Sequence, residues 1–232
     1  MQQKSNYKII SVGGSIIIPK SGFNIEFLKS FRELLLQQVE AGMRFVLVAG
    51  GGATARAYQQ AAKEVRTLTS AELDWLGIYA TITNAYFLQT IIGELASDKI
   101  IFNPLRPPRS HKPIVIASGW KPGFSTDMDA VLLAKKYQAK EIINLSNIDQ
   151  VFTADPKVHK DAQPIDEIGW AAFRQNIVGD TWEPGKSFPF DPIASELAQK
   201  LKLTVVIVNG TNLAQVENAL LGRPFFGTLI RP

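Results

Sequence analysis

Cysteine is absent from the 232 residues of this chain. Its absence excludes disulfides, thiolate chemistry and cysteine-based metal sites, and it fits a cytoplasmic protein. Histidine is nearly as scarce. His111 and His159 stand far apart in sequence, which argues against a histidine metal centre. No apolar run approaches the length needed to cross a membrane, and Met1 to Tyr7 lacks the apolar core of a secretory signal. Runs of like charge and internal repeats are also missing. The net charge of +4 is compatible with small anionic substrates and gives little footing for nucleic acid. Two phosphate-binding signatures are absent as well. There is no Gly-x-x-x-x-Gly-Lys-Ser/Thr loop, and neither glycine cluster has the spacing of a dinucleotide fingerprint.

The most informative stretch runs from Phe45 to Arg56. Phe45-Val46-Leu47-Val48 reads as a strand buried on both faces. Gly50-Gly51-Gly52 then stops it, and a helical pattern from Thr54 to about Glu64 comes next. Glycines at such a junction let the backbone approach a ligand, and the exposed amides at a helix start favour an anion. Arg56, in the first turn, can add a bidentate contact. The competing explanation is a plain tight turn before a buried helix. A second glycine turn, Gly13-Gly14-Ser15, ends a first strand at Tyr7–Val12 and carries the same two readings.

Around these turns, apolar runs alternate with amphipathic segments. Helices are expected over Ile25–Val39, Thr69 to about Leu95, Met128–Tyr137, Asp166–Phe173, Asp191 to about Leu201, and Leu213–Leu221. Strands are expected at Lys99–Phe102, Pro113–Ala117, Glu141–Leu145, Thr204–Val208 and Gly227–Ile230. Continuously apolar strands alternating with helices mark a mainly parallel sheet covered on both faces. Ligands of such sheets bind beyond the carboxyl ends of the strands.

Several polar residues fall at those ends. Ser125, Thr126 and Asp127 stand at a helix start, where they serve either as caps or as ligand donors. Asp74 lies early in the long helix, as a dipole partner or as a ligand contact. Asp127 and Asp191 are the best candidates to hold or orient charge beside phosphates, which makes sense with Mg²⁺ or a cationic side chain between them. Gln175–Phe190 reads as irregular, with Trp182, Phe188 and Phe190 either folded onto the body or awaiting a partner.

Taken in order, the motifs resemble the amino acid kinase family, and within it the archaeal type of UMP kinases. They are Val12-Gly13-Gly14-Ser15, Gly50-Gly51-Gly52 with Arg56, Asp74-Trp75-Leu76-Gly77 and Ser125-Thr126-Asp127. Ser146-Asn147-Ile148-Asp149-Gln150-Val151-Phe152-Thr153-Ala154-Asp155-Pro156-Lys157, Asp191-Pro192 and Gly227-Thr228-Leu229-Ile230 complete the set. The resemblance covers nearly the whole chain and implies an α/β fold, a three-layer αβα sandwich with a mainly parallel central sheet. It implies one domain over residues 1–232, with an acceptor-binding part over about 1–140 and an ATP-binding part over about 141–232. It further implies transfer of the γ-phosphoryl group of ATP, with Mg²⁺ held mainly by the phosphates, to UMP.

By position, Gly51, Asp74, Trp120, Lys121, Ser125 and Thr126 then correspond to the UMP site. Gly14, Ser15, Gly52 and Arg56 correspond to the phosphate path of ATP, and Ser146, Asn147, Phe152 and Asp155 to the adenosine site. Asp127 and Asp191 match the catalytic acidic pair. The family also implies a homo-oligomer, hexamer or dimer, binding small nucleotides and neither nucleic acid nor membrane. Four features depart from its pattern. Val12 stands where bacterial members carry lysine, with Lys121 or Lys186 as possible substitutes. Trp120-Lys121 replaces smaller or polar residues, Gln150 replaces a glycine, and the segment Trp182–Phe190 is atypical. A nucleotide- or oxyanion-binding member without turnover is one alternative. A kinase for another phosphate acceptor such as isopentenyl phosphate is another, although no histidine lies near the glycine turn.

Overall fold

The computed structural model describes residues 7–181 and 188–232. In chain order its elements are β1 (Tyr7–Val12), α1 (Gly14–Ile17), α2 (Ile25–Glu40), β2 (Arg44–Ala49), α3 (Gly52–Val65) and α4 (Ser70–Ile92). Next come β3 (Ile114–Ala117), α5 (Thr126–Tyr137), β4 (Glu141–Ser146), β5 (Val151–Phe152), β6 (Pro164–Ile165), β7 (Glu167–Gly169) and α6 (Trp170–Phe173). The chain closes with α7 (Pro192–Lys200), β8 (Thr204–Asn209), α8 (Leu213–Leu220) and β9 (Thr228–Arg231).

The continuously apolar runs form the centre of a seven-stranded sheet, ordered β3-β2-β1-β4-β8-β9-β7. Its pairings are parallel except that β9 runs antiparallel to β8. Because each strand side chain alternates in direction, the sheet feeds two cores. On one face Ile10, Leu47 and Ile143 pack with α2, α4 and α8 through Phe31, Leu35, Leu88 and Val216. On the other, Ile9, Val46 and Ile142 pack with α5, α6 and α7 through Val131, Trp170, Phe173 and Ala194. This is the three-layer αβα arrangement expected from the sequence. No helix among the described residues is long and apolar enough to cross a membrane.

Three expected elements differ. Lys99–Phe102 is not a strand: only Ile101 bridges to Ala117, because the Asn103 side chain and carbonyl cap a turn that leads the chain away. Asp166–Phe173 is not one helix. Glu167–Gly169 pairs with β9 instead, and helix begins only at Trp170. The stretch after it, expected to be irregular, opens with a wide helical turn at Arg174–Val178. Phe190 is fully buried and Phe188 packs partly buried on the same core, so both fold onto the body. Trp182 and Lys186 lie outside the described residues.

Candidate active site

β1 is the point where the sheet's winding reverses, with β2 on one side and β4 on the other. A crevice opens at the carboxyl ends of strands around such a point. The two glycine turns meet there. An added Cβ on Gly14 would stand 1.9 Å from the Gly52 nitrogen, and one on Gly52 would stand 2.1 Å from the Gly14 oxygen. One on Gly50 would stand 2.4 Å from the Gly14 nitrogen. The glycines thus serve first to let one turn lie against the other, backbone on backbone. Gly52 also has φ +64°, which glycine adopts without strain. Arg56 ties the turns together by donating from Nη2 to Ser15 Oγ at 3.2 Å.

Beside the second turn lies a cleft of about 280 Å³, walled by Gly51, Gly52, Arg56, Asp74, Ser125 and Thr126, with Asp191 at its edge. Gly77, the last residue of the Asp74 motif, also lines it, together with residues that no motif singles out: Gln59, Thr81, Gly119 and Phe124. A polar stripe on α4 organises it. Asp74, Thr81 and Asn84 recur at helical spacing along one side of an otherwise apolar helix. Asp74 Oδ2 accepts from Gly123 N at 2.8 Å, and Thr81 Oγ1 accepts from Gly119 N at 2.8 Å. The loop from Gly119 to Phe124 is therefore hung on α4. In that loop Lys121 Nζ sits 4.3 Å from the Trp120 ring centroid and 4.6 Å from that of Phe124. The lysine is engaged with aromatic faces rather than with a carboxylate. Trp120 and Lys121 stand outside the cleft wall, and Phe124 takes the lining place.

Three carboxyls lie beside the cleft at the starts of α5 and α7, Asp127 next to both Asp191 and Asp129, and of these Asp191 lines it. Ser125 caps α5 by accepting from Met128 N, and Asp191 caps α7 by accepting from Ala194 N at 2.7 Å. Of the three residues offered as caps for α5 it is Ser125 that serves, and both helices begin at the site. Asp127, in the first turn of α5, is fixed from two strands. Its Oδ1 accepts from Ser11 Oγ at 3.4 Å and from Asn144 Nδ2 at 3.3 Å, and those two residues are register partners on β1 and β4. Its Oδ2 accepts from the Asp191 backbone N–H at 3.1 Å.

Burial pushes the Asp127 carboxyl up to about 7, helped by the Asp191 charge. Asp191 is raised for the same first reason. Asp129, fully buried with one oxygen accepting from Trp120 N and the other without a partner among the described residues, is also pushed up to about 7. Asp127 and Asp129 each hold their proton to higher pH when folded than when unfolded, so the stability they influence is lost as pH rises from 3.8 to about 7. Among the described residues no lysine or arginine is ion-paired with any of the three.

The remaining candidates lie further along the same edge. Ser146 ends β4 opposite Asn209 of β8, and Asn147 comes directly after it, exposed. Phe152 is half-buried on β5. Asp155 Oδ1 accepts from Lys157 N at 2.9 Å and so closes its own turn. None of these four, nor Gly14 or Ser15, lines the cleft. Gln150, in the place of a glycine, is buried and points inward, donating to Asp166 Oδ1 at 2.6 Å and to the Gly227 oxygen at 3.0 Å.

The profile of the amino acid kinase family matches residues 6–209. A uridylate kinase of Methanocorpusculum labreanum is 30% identical over 224 residues, covering 96% of this chain and 94% of its own. One from Hyperthermus butylicus is 33% identical over 232 residues, covering 96% of each. Among solved structures, the uridylate kinase of Archaeoglobus fulgidus superposes with a TM-score of 0.77 at 27% identity, covering 96% of this chain and 99% of that one. The UMP kinase of Bacillus anthracis shares the fold at 24% identity, with a TM-score of 0.78 and coverage of 99% and 97%. Matched in sequence over most of its length and in fold over nearly all of it, this chain belongs to the amino acid kinase family.

Proposed function

We propose that this chain is a UMP kinase: a phosphate oxygen of UMP attacks the γ-phosphorus of ATP, the bond to the β–γ bridging oxygen breaks, and UDP and ADP leave. One observation carries the reading. A single cleft runs from the glycine turn at Gly51 to the carboxylate of Asp74, which suits a nucleoside monophosphate, its ribose diol at Asp74 and its phosphate at the turn, where Arg56 stands to meet the phosphates of ATP. The naming of its relatives as uridylate kinases supports the same acceptor. The reaction would serve pyrimidine nucleotide synthesis in the cytoplasm.

In this reading Gly51, Asp74, Ser125 and Thr126 hold UMP, with Trp120 and Lys121 closing over it. Gly14, Ser15, Gly52 and Arg56 face the ATP phosphates, while Ser146, Asn147, Phe152 and Asp155 take the adenosine. Residues up to about 140 then form the acceptor part and those from about 141 the ATP part of one domain. No general base is needed, since the attacking oxygen is already anionic. The work is alignment and charge stabilisation. Asp127 and Asp191 offer hard oxygen donors without a cationic partner among the described residues, which fits Mg²⁺ arriving on the phosphates. When bound, the ion would neutralise charge on the phosphoryl oxygens. Ser11, Asn144 and the Asp191 amide keep Asp127 in place for that task.

A coupled ADP-release assay over a panel of acceptors tests the proposal. UMP is expected to lead CMP, AMP and isopentenyl phosphate, and equal or greater turnover with any of these refutes it. Asp74→Ala is expected to raise KM for UMP by about tenfold or more and that for ATP by less than about threefold. Equal rises in both would assign Asp74 to the Gly123 loop alone.

The chain is also proposed to form a homo-oligomer, dimer or hexamer. α4 is largely apolar, yet Trp75, Tyr79 and Tyr86 stand exposed on it with Phe102 alongside. Light scattering should give at least twice the mass of one chain, and Tyr79→Glu should lower it. A monomeric wild-type protein at micromolar concentration rejects this assignment.

A further inference from the structure

Asn84 is the third polar residue of the α4 stripe, and it does not itself line the cleft. It is buried to 1% exposure. Its Nδ2 donates to the Gly50 oxygen at 2.7 Å and to the Gly51 oxygen at 3.3 Å. Among the described residues its Oδ1 has no partner. A buried acceptor left unpaired costs about 1–3 kcal/mol, so the side chain is an expensive choice in an otherwise apolar helix. What its other end does explains it.

In a trans peptide the carbonyl and the following N–H point in opposite directions. Asn84 draws the carbonyls of Gly50 and Gly51 toward the interior. The N–H groups of Gly51 and Gly52 are thereby turned away from it. Among the described residues neither amide donates to a backbone or side-chain acceptor, and both glycines line the cleft. One buried amide thus fixes the direction of two free donors, one in the turn's centre and one at the start of α3.

We infer that Asn84 is a positioning residue for phosphoryl transfer: by holding the Gly50 and Gly51 carbonyls, it aims the Gly51 and Gly52 amides at the phosphates. This rests on the phosphate-binding reading of the turn. Donors aimed in advance cost no reorganisation during the reaction, so their loss falls on the rate more than on the fold. Asn84 itself touches no substrate.

The test uses the full chain with Asn84→Ala and Asn84→Asp. The aspartate variant keeps the volume and removes the amide donors. Both are expected to lower kcat by about thirtyfold or more and to weaken binding of the magnesium complex of β,γ-imido-ATP by about tenfold, read by calorimetry. The thermal midpoint without nucleotide should move by only a few degrees. Either variant with kcat within about threefold of the parent overturns the inference. So does a loss of kcat that only tracks the fraction of folded protein. Should the alanine chain fail to fold, the aspartate chain carries the comparison. If the parent chain binds β,γ-imido-ATP but transfers nothing to UMP, the UMP kinase proposal fails, and the binding comparison still decides the role of Asn84.

Discussion

Asp191→Asn is expected to lower kcat by about a hundredfold or more, the loss typical when one preorganised charge is removed from a site that stabilises a transition state. The substitution is chosen because it spares the fold. Asp191 caps α7 through Oδ1, and asparagine caps helices equally well. The backbone N–H that it gives to Asp127 is untouched. Only the charge goes. UMP affinity, read by calorimetry without ATP, should then change by less than about threefold. Unchanged turnover would remove Asp191 from the machinery. The pH profile supplies an independent check. In the free protein Asp127 ionises near pH 7, so kcat/KM should climb through that range as the carboxylate forms. The Asp191 charge contributes to holding the Asp127 carboxyl up. In the asparagine variant the rising limb should therefore move to lower pH. A limb that stays in place would mean that the two carboxyls do not sense each other.

How much of the fold is legible in the sequence depends on the range of the forces involved. The central strands are legible because burial on both faces demands an unbroken apolar run, as in Phe45–Val48 and Val205–Val208. The caps at Thr69, Ser125 and Asp191 are legible because capping is local, fixed within three residues. Lys99–Phe102 misleads for the converse reason. Its apolar pair is buried, but strand pairing also needs the chain to run on straight, and Asn103 turns it. Glu167–Gly169 is a strand only because β9, some sixty residues later, lies beside it.

The site divides the same way. Asp74, Arg56 and Asp191 can be read from position in a motif. Ser11, Asn144 and Asp129 cannot, because their meaning lies in register and burial. Ser11 and Asn144 become a pair only when β1 meets β4. Asn84 does carry a signal, a polar residue three places after Thr81 on an apolar helix. The glycines announce a close approach, but their first neighbour is the other turn rather than a ligand, since nothing local says that Gly14 will touch Gly52.

That contact sets up the second large effect. Gly14→Ala is expected to destabilise the fold by about 3 kcal/mol or more. The new methyl would stand 1.9 Å from the Gly52 nitrogen and 2.5 Å from its Cα. Backbone atoms cannot swing aside as a lysine tip can, so the two turns must separate. Separation also breaks the span from Arg56 to Ser15, and with it any shared hold on a phosphate. Residual folded protein should therefore be slower than its amount predicts. Gly169→Ala is the matched control. It sits at a helix start where the nearest atom to an added Cβ is the Arg231 oxygen at 3.9 Å, so it should cost no more than about 1 kcal/mol. Urea midpoints for the two variants, with kcat normalised to folded protein, separate the effects. If Gly14→Ala matches Gly169→Ala in both, the turns can part freely, and a site built on their contact has no rigid floor.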